Sequence, residues 1–162
     1  ATHDPLTGLA NRALFYDRFR LKLSHALRYH EHFGILFLDM DGLKYMNDTY
    51  GHRAGDAALT ELARRLHSAI RDADSVARLG GDEFGILTAS LYDKLDLVAI
   101  SQRIHDALRE PFIYNGHPLP LQVSSGHALF SEDGVELEHL IEKADKAMYD
   151  DKRSKKGKHL RL

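Results

Sequence analysis

Cysteine is absent from the 162-residue chain. Neither a disulfide nor a thiolate metal site can form, and the absence fits a reducing, cytoplasmic setting. No apolar run approaches the roughly 20 residues of a membrane span, and no signal peptide precedes Ala1. This segment is expected to make no membrane contact, which leaves open a membrane anchor elsewhere in a full-length protein. Charge of one sign is not in excess. The 22 basic and 24 acidic side chains leave a formal net charge of -2, so no global field draws the chain to nucleic acid. The local exception is the basic run Lys152-Arg153-Ser154-Lys155-Lys156-Gly157-Lys158. There is no internal repeat and no linker-like stretch. What remains is ordinary globular composition, 43% hydrophobic and 28% charged, enough for one domain over residues 1–162 with a real core. The chain starts without Met, so it is expected to be a piece of a longer protein.

Two stretches end in acids where acids need a reason. Val76-Ala77-Arg78-Leu79 reads as a short strand and Phe84-Gly85-Ile86-Leu87-Thr88 as its antiparallel return. Gly80-Gly81 between them supplies the positive φ that a tight hairpin needs. Asp82 and Glu83 then sit at the hairpin tip, where paired carboxylates suit a hard cation, although an ordinary solvated Gly-Asp tip has the same appearance. Phe33-Gly34-Ile35-Leu36-Phe37-Leu38 is a near-continuous apolar run, as expected of a strand buried on both faces. It runs straight into Asp39-Met40-Asp41-Gly42. A carboxylate at the end of a buried strand is costly unless paired or metal-bound. Two such strand ends side by side would form a two-metal site.

Around these strands the periodicity places helices. Asn11 is a suitable N-cap for a helix carrying Phe15, Phe19, Leu23, Ala26 and Leu27 on one face through about His30. A strand over 33–40 follows, then a short helix with Lys44 to Asp48, a turn at Tyr50-Gly51-His52, and a longer helix through Leu59, Leu62, Leu66 and Ile70. Residues 93–110 form another amphipathic helix, closed by Pro111. Asn115-Gly116 marks a hairpin between Phe112–Tyr114 and a strand over Leu119–Phe130. Leu137 to Met148 give a last helix, with His159–Leu162 as a short final strand. Helices alternating with strands in this order fit an α/β sandwich. The 11 histidines show no ligand spacing.

The motifs taken together resemble a known family. Gly80-Gly81-Asp82-Glu83-Phe84 spells the name motif of the GGDEF domains, the diguanylate cyclases. The likeness extends through Asp4-Pro5-Leu6-Thr7-Gly8-Leu9-Ala10-Asn11-Arg12, Asp39-Met40-Asp41-Gly42-Leu43-Lys44-Tyr45-Met46-Asn47-Asp48, Gly51-His52-Arg53-Ala54-Gly55-Asp56, Ser124-Ser125-Gly126 and Ala144-Asp145-Lys146-Ala147-Met148-Tyr149. It covers essentially the whole chain in the family's order.

The resemblance implies a palm-like βαββαβ core, as in nucleotidyl cyclases, with a central mixed sheet flanked by helices. It implies condensation of two GTP into cyclic di-GMP and two pyrophosphates, with Mg²⁺ or Mn²⁺. The implied metal ligands are Asp39, Asp82, Glu83 and the backbone carbonyl of Met40. Either Asp82 or Glu83 would assist deprotonation of the attacking hydroxyl. Phosphate contacts are expected from the turn Met40, Asp41, Gly42 and Leu43, and from Lys44 and Lys152. The family's Gly-Arg-Asn continuation is missing here, so Lys156 or Lys158 replaces the usual basic residue or belongs to a frayed helix end. Asn47 and Asp56 stand at the positions that read guanine, although each also suits a helix cap. Arg71 and Asp74, as Arg-x-x-Asp with five residues between Asp74 and Gly80, match the family's inhibitory product site, with a helix-end salt bridge as the plainer reading. One nucleotide site per chain implies a homodimer for activity, with the isolated domain mainly monomeric and an upstream sensor joining through the first helix. A receptor that only binds GTP or cyclic di-GMP, and a cyclase closing one nucleotide on itself, are the competing functions.

Overall fold

The computed structural model describes the backbone of residues 1–160 and the side chains of residues 1–155. The elements run α1 (Arg12–Tyr29), β1 (Phe33–Met40), α2 (Leu43–Tyr50), α3 (His52–Ala69), β2 (Ser75–Gly80), β3 (Glu83–Leu87), α4 (Lys94–Ala107), β4 (Phe112–Tyr114), β5 (His117–Leu119), β6 (Val123–Phe130) and α5 (Leu137–Leu160).

β1 owes its central place to its composition. Seven of its eight residues are buried, so it must be covered on both faces and paired on both edges. It pairs with β3 on one side and β6 on the other, in the order β2-β3-β1-β6. Alternation along β1 then divides the core in two. Leu36, Leu38 and Met40 pack with α2, α3 and α4 residues such as Met46, Leu62 and Ile104. Phe33, Ile35 and Phe37 pack with Phe15 and Phe19 of α1 and Leu140 and Ala144 of α5. Omitting the small β4-β5 hairpin and reading α2 and α3 together, the order is the expected βαββαβ core.

Three details depart from the sequence reading. The sheet is not mixed: all of its ladders are antiparallel, and the parallel pairing among the described residues is the isolated Ala10–Ala77 bridge. The strand expected over 119–130 is broken into β5 and β6 around Pro120, which has no N–H to donate to a ladder. His159 and Leu160 continue α5 instead of forming a strand, and residues 161–162 lie outside the described part.

The helix expected over 93–110 is also shorter, since α4 stops at Ala107 ahead of Pro111; the other local signals hold. The Asn11 side chain accepts the Leu14 N–H and caps α1, which ends at His30 in the left-handed conformation. Asp93 opens α4 with a reciprocal capping box to Asp96. The N-terminal arm lies along the outer edge of β2, where the Arg78 N–H donates to the Ala10 carbonyl at 3.0 Å. Arg78 also pairs with Asp4 at 3.1 Å, both side chains being largely buried.

Candidate active site

The acids meet because of strand register. Asp39, near the end of β1, lies directly opposite Glu83 of β3, and opposed residues share a sheet face. The Met40 N–H donates to the Asp82 carbonyl at 2.9 Å, which stitches the hairpin tip to the end of β1. Gly80 and Gly81 have φ of 145° and 50°, so the tip is built on backbone that side chains resist.

Asp39 is half-buried. Burial pushes its pKa above the ordinary carboxylate value, and the neighbouring Asp82 pushes the same way, while a hydrogen bond from Lys152 opposes both. That bond from α5 measures 3.0 Å. Burial works against the charge on Lys152, but the hydrogen bond to Asp39 and the attraction of Asp39, Asp82 and Asp41 outweigh it and raise its pKa.

As the side chains stand, no three His, Cys, Asp or Glu groups among the described residues gather into a cage for a metal. The donor set is nonetheless of the right kind. Asp39, Asp82 and Glu83 offer only hard oxygen, and a cation such as Mg²⁺ completes its shell with water and substrate phosphate. The residues therefore fit a hard divalent ion.

Two of the N–H groups expected to face phosphate are already used. Besides Met40, the Asp41 N–H donates to the Gln122 carbonyl at 2.8 Å. Gly42, at φ 74°, and Leu43 open α2 with N–H groups that have no intrahelical acceptor. A helix start of this kind favours an anion. Lys44 is exposed in that first turn. The side chain of Lys156 lies outside the described residues, as does that of Lys158.

Asn47 carries the clearest sign of an absent partner. Its Oδ1 is buried and makes no hydrogen bond among the described groups, a state that normally costs stability. The Asn47 amide points its Oδ1 at Gly55, where a Cβ would collide with it. Asp56 is exposed one turn into α3, which begins at His52; the reading of Asp56 as an N-cap is therefore excluded. Arg71 is exposed, whereas Asp74 is buried. No Arg71–Asp74 side-chain salt bridge occurs among the described residues. The Asp74 carboxylate accepts the Arg71 N–H at 3.0 Å and the Ala89 N–H at 2.7 Å.

Sequence reasoning missed the Asp39–Lys152 pair, which joins residues 113 positions apart. It also missed Ser124, whose hydroxyl donates to Asp41 at 2.7 Å. The sequence signal for Ser124 is the Ser124-Ser125-Gly126 triplet, which by itself specifies no role.

The family model described as "Diguanylate cyclase, GGDEF domain" matches residues 1–158. The chain is 38% identical over 149 residues to the bifunctional diguanylate cyclase/cyclic di-GMP phosphodiesterase MucR of Pseudomonas aeruginosa, covering 92% of this chain and 22% of MucR. It is 39% identical over 158 residues to the diguanylate cyclase TpbB of the same species, covering 97% of this chain and 36% of TpbB. The solved GGDEF domain of TpbB superposes with a TM-score of 0.90 at 38% identity, covering 94% of this chain and 89% of that one. The chain thus spans well under half the length of these curated relatives. With motifs, antiparallel core and acidic hairpin in agreement, the chain belongs to the diguanylate cyclase GGDEF domain family.

Proposed function

We propose that this chain is a catalytic diguanylate cyclase domain that condenses two GTP into cyclic di-GMP and two pyrophosphates. The observation that carries the reading is the Asp39–Glu83 register, which sets the acidic hairpin beside the acid ending the central strand. An inactive receptor has no need to keep Asp39, Asp82 and Glu83 together.

In this reading Asp39, Asp82, Glu83 and the Met40 carbonyl hold Mg²⁺ or Mn²⁺. The bound ion supplies charge neutralisation at the triphosphate and favours attack by a 3′-hydroxyl on an α-phosphate. Asp82 or Glu83 influences the hydroxyl proton. The start of α2, with Gly42 and Leu43, receives phosphate oxygens, and Lys44 and Lys152 add positive charge. Lys152 must exchange Asp39 for phosphate to do so. Asn47 and Asp56 face the guanine edge, and the unpartnered Asn47 Oδ1 gains its missing donor there. Arg71 offers a guanidinium to product phosphate, while Asp74 holds the loop that presents it.

The product contains two equivalent links, and the chain carries one copy of each group. Two chains facing each other across a two-fold axis make both bonds equivalent. The reading includes an upstream sensor segment that raises the effective concentration of the two halves and a cytoplasmic location where GTP is available.

Incubation with GTP and Mg²⁺, followed by mass analysis, tests the proposal. Cyclic di-GMP is expected. Unchanged GTP from a folded, GTP-binding chain would leave a binding module, and a single-nucleotide cycle would place the chain in another reaction class.

A further inference from the structure

Ser124-Ser125-Gly126 and the Asp41 side chain have no part in the chemistry above, yet they meet at the same end of the sheet. Gly126 lets α5 lie directly on β6: a Cβ there would run into the backbone of Ala144 and Met148. With the helix this close, Asp151, Lys152 and Lys155 reach the strand ends. The Asp151 carboxylate accepts the Ser125 N–H at 2.9 Å. Lys152 reaches Asp39. Lys155 donates to Asp41 Oδ2 at 3.0 Å and also to the Val123 carbonyl.

Asp41 is held from several directions. Its Oδ1 accepts from Ser124, which is wholly buried, its Oδ2 accepts from Lys155, and its own N–H donates to Gln122. The carboxylate is therefore held at both oxygens. It stands immediately before Gly42, where the chain turns into α2. An unpaired carboxylate at this point would repel a triphosphate; a paired one fixes the turn and is neutralised.

We infer that Lys155 is a positioning residue for the triphosphate turn, acting through Asp41, and that Ser124-Ser125-Gly126 is the seat that brings α5 into register for this purpose. The inference rests on the GTP reading above for its catalytic consequence but not for its structural one. Lys155 touches Asp41, Val123 and the Asp151 carboxylate, so its influence on nucleotide passes through the turn.

The test uses Lys155→Met, Lys155→Arg and the double variant Asp41→Asn/Lys155→Met. In the nucleotide-free chain, amide hydrogen exchange at Asp41 is expected to quicken by about tenfold or more in Lys155→Met, with α1 amides unchanged, because the loss is local. With GTP and Mg²⁺, KM is expected to rise about tenfold in Lys155→Met, with a smaller fall in kcat, and to return to within about threefold of the parent in Lys155→Arg and in the double variant. Unchanged exchange at Asp41 in Lys155→Met overturns the inference. So does a KM defect in the double variant as large as in the single one, since Lys155 would then act on the nucleotide directly. If the parent chain neither binds nor converts GTP, the functional reading fails, while the exchange result still decides the positioning role.

Discussion

At the scale of the residue, the site is a set of groups whose local chemistry is plain and whose company is not. The acids at 39, 82 and 83 were legible because buried strands rarely end in carboxylates without cause. That Lys152 stands against Asp39 was not, since nothing local ties an α5 lysine to the end of β1. Nor could the sequence show that Asp74 spends its carboxylate on two backbone N–H groups. Asp82→Asn keeps size and removes a charge; it is expected to cut cyclic di-GMP formation by about 100-fold or more, since metal-supported charge stabilisation is lost, with the unfolding transition intact. Near-parent turnover in the folded variant would take Asp82 out of the mechanism. The Arg71–Asp74 pair separates by exposure. Arg71→Ala should relieve inhibition by added cyclic di-GMP without changing stability, which rate against product concentration and urea unfolding read together. Asp74→Ala should instead cost about 2–4 kcal/mol, because buried N–H groups lose their acceptor. Equal product inhibition in the parent and Arg71→Ala would leave the motif a loop brace only.

At the scale of the element, boundaries followed the breakers and caps. Asn11 and Asn115-Gly116 mark real ends, whereas the capping role of Asp93 emerged only from the structure. Sheet direction was not legible, because the alternation of apolar residues does not encode whether neighbours run parallel. The interruption between β5 and β6 depended on Pro120 removing a donor. One tie between elements gives a measurable pH dependence. Asp133, 3% exposed, receives hydrogen bonds from Lys143, Lys94 and the Leu129 N–H. Burial alone would raise its pKa, but these partners bring it down to about 2. Because the folded value is depressed, its contribution is present above the unfolded value of 3.8 and is lost as pH falls through about 2. The contribution at neutral pH is about 2 kcal/mol by linkage. Asp133→Asn should therefore lose stability at pH 7, and the gap from the parent should close as pH falls from 5 to about 2. Urea unfolding of both proteins across that range reads this; a gap independent of pH would mean that Asp133 acts through shape alone.

At the scale of the whole molecule, the two-faced core was implicit in β1 once its neighbours were known, and family resemblance supplied the βαββαβ succession that periodicity lacks, while the strand order within the sheet came only with the structure. Assembly belongs to this scale too. A dilution series of initial rates, with mass measured in parallel, should show activity per chain rising with protein concentration, and rising further when a dimerising helix is fused before Asp4. A constant rate per chain from a species that stays monomeric throughout would sink the two-chain reading.

The N-terminal arm beside β2 has a consequence of another kind. β2 ends the sheet, and an uncovered strand edge is a template on which other chains can grow. Residues 1–11 occupy part of that edge through Ala10, and the Asp4–Arg78 pair fastens them there. The arm is thus expected to guard colloidal stability as well as shape. A chain beginning at Arg12 should scatter light and build sheet-rich aggregates on standing where the parent stays dispersed, and a lysine introduced on the bared β2 edge should slow that growth. A truncated chain that remains folded and dispersed would show that the edge protects itself.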